Sequence, residues 1–132
     1  MVPADHDLVG RGPVSFEVLG DHGVLGPSVP VPDYWEDAVS PFNTPKGHPI
    51  PRNALIANWD ELTAMVAEGQ AIQPVHWSAV RYNSRPDIAY LPFRDARPTR
   101  WGLVWRTGTE NETIRALARI VGDLGPLHLG GR

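Results

Sequence analysis

Punctuation is what most constrains this chain: 14 prolines and 13 glycines cut its 132 residues into short pieces. Proline removes a backbone donor and glycine costs backbone entropy, so regular structure survives only in the runs between them. Pro3, Gly10, Gly12 and Pro13 break any period at the start, and Pro41, Pro45, Pro49 and Pro51 make residues 40–51 a long loop or extended segment. Val14–Leu19 suits a short strand or one turn of helix, and Gly20–Gly23 a loop. The apolar pair Val24-Leu25 suits a short strand before a proline-broken turn. Asp33–Val39 reads as a short helix with Asp33 as N-cap and acids in its first turn.

The central block is more regular. Arg52–Ile56 reads as a strand, and Asn58 caps a helix running to about Glu68. Leu62, Met65 and Val66 share one face of that helix, and Gly69 is its stop. Ala71–Val75 reads as a strand, His76–Tyr82 as one or two helical turns, Asp87–Phe93 as a strand and Trp101–Arg106 as a central strand. The longest helix is expected over Glu110–Leu124, where Ile114, Leu117, Ala118, Val121 and Leu124 form one apolar stripe. Gly125–Arg132 is expected to be a frayed tail. Strands alternating with short helices predict an α/β domain with a mostly parallel sheet.

Composition removes whole classes of function. With no cysteine, disulfides, thiolate chemistry and cysteine-ligated metals are excluded. No apolar run reaches the roughly 18 residues of a membrane helix, and the N-terminus lacks the order of a signal peptide, so a cytoplasmic protein is expected. Charge is divided unevenly. Residues 1–66 hold nine acids and three bases (net −6), while residues 67–132 hold six acids and nine bases (net +3). Six arginines lie between Arg81 and Arg106, yet they lack interleaved aromatics and the overall pI of about 5.9 is wrong for a nucleic-acid-binding module. Local ion pairs and a solvated face are the expectation for them.

Motifs of catalysis and cofactor binding are missing. The histidines at 6, 22, 48, 76 and 128 never fall three to five residues apart, so no local metal motif exists. Gly26-Pro27-Ser28-Val29-Pro30 lacks the final glycine of a nucleophile elbow. Gly20, Gly23 and Gly26 do not make a dinucleotide fingerprint, and the single lysine, Lys46, precedes a glycine instead of completing a phosphate loop. The reading is no enzyme, no catalytic residue, no bound metal and no cofactor.

Several stretches together resemble a known family. Val2-Pro3-Ala4-Asp5-His6-Asp7-Leu8 is similar to the segment in which LysR-type transcriptional regulators cross from the first to the second effector subdomain. Asn58–Leu62 through Val66–Gly69 resembles a helix of that family, and Ser78–Tyr82 with Arg85–Pro92 resembles its "S-a-a-R-y…r-P-g-i-v-y-v-P" stretch. Trp101–Arg106 resembles the return strand, followed by the final helix. The resemblance implies a periplasmic-binding-protein-like (type 2) subdomain, with a mixed, mostly parallel sheet flanked by helices and a C-terminal return helix. It implies that residues 1–106 form the second effector subdomain, 107–124 the return helix and 125–132 a flexible tail. Met1 falls at the crossover, so these residues are expected to lack the helix-turn-helix through which the family contacts DNA.

The function so implied is effector sensing for a LysR-type regulator; the alternative is a stand-alone interaction protein that pairs with a full-length regulator. The partners implied are a small organic, anionic effector and further copies in a homo-oligomer, with no membrane. A departure from the family pattern places His76 where a proline is usual, leaving either a cleft-lining imidazole and indole, or Trp77 in the core with His76 in solvent. Helix N-termini carry unpartnered N–H groups and partial positive charge, and those following strands point to the carboxyl edge of the sheet. The candidate effector-binding residues are therefore Pro27, Ser28, Ala57, Asn58, Trp59, Gln73, Pro74 and His76.

Overall fold

The computed structural model describes residues 1–97 and 102–125 and is an α/β chain. It divides into two compact units, Met1–Arg97 and the remainder. In the first, β1 (Val2–Pro3), α1 (Val18–His22), β2 (Val24–Pro27), α2 (Asp33–Val39), β3 (Arg52–Ile56), α3 (Trp59–Ala67), α4 (Ser78–Tyr82) and β4 (Ile88–Ala89) follow one another. The described residues of the second contain a 3₁₀ turn, Thr107–Thr109, and α5 (Glu112–Leu124).

The sheets are small. β2 and β3 pair in parallel, with Leu25 opposite Ala54 and Pro27 opposite Ile56, while β1 and β4 pair antiparallel. A mostly parallel sheet was the expectation; among the described residues one pair is parallel and one antiparallel. Residues 1–13, expected to be irregular, supply β1, and Met1 and Val2 are buried. β1 and β4 are two residues each, and the backbone contact continues for one more bond, from the Ala4 amide to Asp87 O at 3.0 Å. The rest of the expected Asp87–Phe93 strand serves another neighbour: Val14 donates to Pro92 O and accepts from the Arg94 amide, each at 3.0 Å.

Other boundaries move for local reasons. Val14–Leu19 resolves into one bridge at Val14 and the start of α1, which runs on through Gly20–His22 where a loop was expected. Asp33 is the first helical residue of α2 and not its cap; Pro32 holds that place in an extended conformation, as a residue before the first turn can. Ala71–Val75 forms no ladder. Its Gln73 instead exchanges two backbone bonds with Met1, at 2.9 and 3.0 Å, and Pro74 cannot extend the pairing. The helix expected from His76 begins at Ser78.

The expected strand Trp101–Arg106 begins outside the described residues. Its remainder, 102–106, joins no sheet among the described residues, and Val104 is 95% exposed. β-branched and aromatic residues favour a strand, but a strand forms only where a neighbour takes its backbone groups. The expected tail beyond Gly125 also lies outside the described residues.

The core sits on both sides of β2. Leu25 packs with Leu62 and Val66 of α3, Ala71 and Ile88, while Val24 packs with Val2, Leu19, Ile50 and Ile72. Val24 and Leu25 are wholly enclosed, and each such side chain contributes about 1.5–3 kcal/mol. Gly69 ends α3 at φ +75°, a left-handed conformation that glycine adopts without penalty.

Candidate functional site

Parallel pairing of β2 and β3 brings their carboxyl ends side by side. The Ser28 amide donates to Ile56 O at 2.8 Å, so the chain leaves β2 at Pro27-Ser28 next to where it leaves β3 at Ala57-Asn58. Ser28, Ala57 and Asn58 are exposed there, and Trp59 is 37% exposed as the first residue of α3. Four candidates, Pro27, Ser28, Ala57 and Asn58, thus meet at one strand edge, with Trp59 immediately after them.

The start of α3 is closed by its own side chains. Asn58 Oδ1 accepts from the Glu61 amide at 2.9 Å, and Glu61 Oε2 accepts from the Ala57 amide at 2.7 Å. This is the reciprocal logic of a capping box, shifted so that the carboxylate reaches the residue before the cap. Among the described residues no acceptor is bonded to the amides of Trp59 and Asp60, and these are the donors left at the helix start. Sequence reasoning overlooked Glu61 as part of this site. The signal was present, as Asn58-Trp59-Asp60-Glu61 follows the pattern of a polar cap with an acid three residues on.

Gln73 stands differently. It is only 3% exposed, and its amide is consumed inside the fold. Oε1 accepts from the Leu25 amide at 2.9 Å, and Nε2 donates to Ser40 Oγ at 3.0 Å and Val39 O at 3.2 Å. The Ser40 hydroxyl in turn donates to Leu25 O at 2.8 Å. Gln73 and Ser40 together occupy the open edge of β2 as a neighbouring strand would, and tie it to the end of α2.

Pro74 and His76 are half-buried. His76 Nδ1 lies 2.9 Å from Ser78 Oγ and accepts from the Ser78 amide at 3.3 Å, shaping the turn into α4. Trp77 is 44% exposed, so it is not a core residue. The apolar gap lined by Val2, Leu8, Leu19, Ile72, Leu91 and Phe93 is too small for more than about one water and lies in the core, away from the β2–β3 edge.

Charges outside this edge serve structure. Arg85 binds Asp87 through Nε and Nη2 at 2.9 and 2.6 Å, and this contact holds the Asp87 carboxyl below its ordinary value. Arg52 reaches Glu36 at 3.1 Å, binds Pro41 O at 2.9 Å and the carbonyl of Ser40, and lies 5.0 Å from the centre of the Phe42 ring. Among the described residues no three His, Asp or Glu side chains converge to hold a metal, and no helix is long and apolar enough to cross a membrane.

Comparison with known proteins places the chain in a family. A family profile described as the LysR substrate binding domain matches residues 1–125. No curated protein and no solved structure matches the chain.

Proposed function

Because the chain belongs to the LysR substrate-binding domain family, we propose that it is the effector-sensing part of a LysR-type transcriptional regulator. The family supports ligand sensing in regulation; the β2–β3 edge supports where the ligand sits. Its one decisive feature is the meeting of Pro27, Ser28, Ala57 and Asn58 at the carboxyl ends of two parallel strands, the usual ligand position of open α/β folds. On this reading residues 1–106 are a periplasmic-binding-protein-like (type 2) subdomain, 107–124 a return helix and 125–132 a tail, and the protein acts in the cytoplasm without catalysis.

The ligand is a small organic anion held by the Trp59 and Asp60 amides, with the Trp59 ring beside them and His76 as a further candidate contact. Gln73 and Pro74 shape the site from behind, since the Gln73 amide is committed to Leu25, Val39 and Ser40. An entering anion competes with the Glu61 carboxylate already on the Ala57 amide.

Titration with benzoate, followed by two-dimensional amide NMR, tests the proposal. Resonances of residues 57–59 and 76 should move, and Glu61→Gln should enlarge the response by removing the competing charge. Shifts confined to positions remote from residues 57–59 and 73–77 would overturn the assignment.

The second reading, an interaction protein that pairs with another copy or with a full-length regulator, draws on α5. Leu117, Val121 and Leu124 are 49%, 43% and 61% exposed along one face. An apolar stripe left in water favours association.

A further inference from the structure

The turn that follows β1 carries a histidine nitrogen with two competing partners. His6 Nδ1 lies 3.2 Å from the Leu8 amide, which donates to it, and 3.0 Å from Asp7 Oδ1. One nitrogen cannot serve both. Unprotonated, Nδ1 accepts from Leu8; protonated, it is itself a donor and suits only the carboxylate. The His6 side chain is largely enclosed, and its ring meets that of His22, the last residue of α1, with centroids 4.9 Å apart and planes at 64°. Among the described residues, the charged and titratable groups with contacts at this ring are Asp7 from the same turn, to whose Oδ2 Arg11 is held at 3.4 Å, and His22 from α1.

We propose that His6 is a proton-operated latch on the Pro3–Val9 turn. In the closed state the neutral imidazole carries its proton on Nε2 and anchors the Leu8 amide through Nδ1. A proton taken from solvent onto Nδ1 turns that atom toward Asp7 and leaves the Leu8 amide without its acceptor. Leu8 is a buried residue lining the same apolar gap as Val2 and Leu19, so freeing its amide loosens the turn against α1. The other bonds of the turn, His6 amide to Pro3 O at 3.1 Å and Val9 amide to His6 O at 2.9 Å, do not involve the ring and persist. Charging His22 as well sets two cations ring to ring and drives the same opening. The latch is independent of effector binding: it lies at the other end of β2 from Pro27.

Amide hydrogen exchange on the 132-residue chain, corrected for the intrinsic pH dependence of exchange, tests the latch between about pH 8 and pH 5, where histidine changes charge. The Leu25 amide, bonded to Gln73, serves as the internal reference. Leu8 protection should fall about tenfold relative to Leu25 on acidification, the scale of losing one acceptor from a partly buried amide. His6→Asn should abolish that fall, because an asparagine oxygen accepts the same amide two residues on and takes up no proton. Leu8 protection that tracks Leu25 in the unmodified chain, or falls equally in His6→Asn, overturns the proposal. Ring ¹⁵N shifts of the unmodified chain provide a second test that needs no variant: a neutral His6 ring protonated on Nδ1 at about pH 8 also overturns it.

Discussion

Replacing Gln73 with alanine removes three hydrogen bonds from the interior and nothing from the surface. The enclosed Leu25 amide loses the Gln73 acceptor, while Ser40 Oγ and Val39 O lose a donor. An orphaned buried donor costs about 1–3 kcal/mol, and the small void left by the side chain adds to it. A total of about 3 kcal/mol is expected, a large part of the roughly 5–15 kcal/mol that holds a domain together. Urea denaturation followed by tryptophan fluorescence reads this directly. With an m-value of about 1.5 kcal/mol/M, the midpoint should fall by about 2 M. Ser40→Ala should cost less, about 1 kcal/mol, because Gln73 keeps its bond to Leu25. A Gln73→Ala midpoint within about 0.3 M of the parent, equivalent to about 0.5 kcal/mol, would refute the view that this amide acts as a surrogate strand at the β2 edge. The measurement also separates structure from binding: a residue serving only the effector site would leave the midpoint unmoved.

Asn58→Ala removes the cap of α3 and should cost about 1 kcal/mol in the same assay, whereas Asn58→Asp should cost little. Asp95 accepts from Ser15 Oγ and the Phe16 amide, each at 2.6 Å, and the Ser15 hydroxyl bond leads in holding its carboxyl below the ordinary value. The folded chain therefore binds this proton less readily than the unfolded one. Its stabilisation is present above the ordinary carboxylate range and lost as pH falls through the depressed value; Asp95→Asn should flatten that part of an acid titration of stability. The 132-residue chain should self-associate at high micromolar concentration, and replacing Leu117 and Val121 together by glutamate should give a monomer by light scattering while leaving the circular dichroism of the Met1–Arg97 unit intact. A parent chain already monomeric at that concentration would refute the role of α5.

Local chemistry determined much of this protein. β3 occupies the residues that sequence alone assigns, Arg52–Ile56, and α3 starts after Asn58 and stops at Gly69, because a cap, an apolar face and a left-handed glycine act within a few residues of one another. α5 keeps the expected stripe and its end at Leu124, but it starts at Glu112 and not at Glu110, because Asn111 caps it by accepting from the Ile114 amide at 3.0 Å. The family, too, was legible in the order of short stretches along the chain. At the candidate site, the cap and the strand ends were readable, and the acid at Glu61 stood in plain sequence three residues after its cap.

Only the tertiary structure decided the rest. Nothing near Val2 announces a strand; its partner is Ala89, and the bonds that bury Met1 come from Gln73, 72 residues away. The same distant pairing turned Ala71–Val75 from an expected strand into a strap, and the Gln73 side chain on it braces the Leu25 amide. Gly102–Arg106 shows the converse, a segment with strand-forming side chains that joins no sheet among the described residues. Helix starts and stops are settled by groups within one turn of chain. Strands and buried amides are settled by whichever remote backbone supplies the missing donor or acceptor, and sequence position alone does not say which backbone that is.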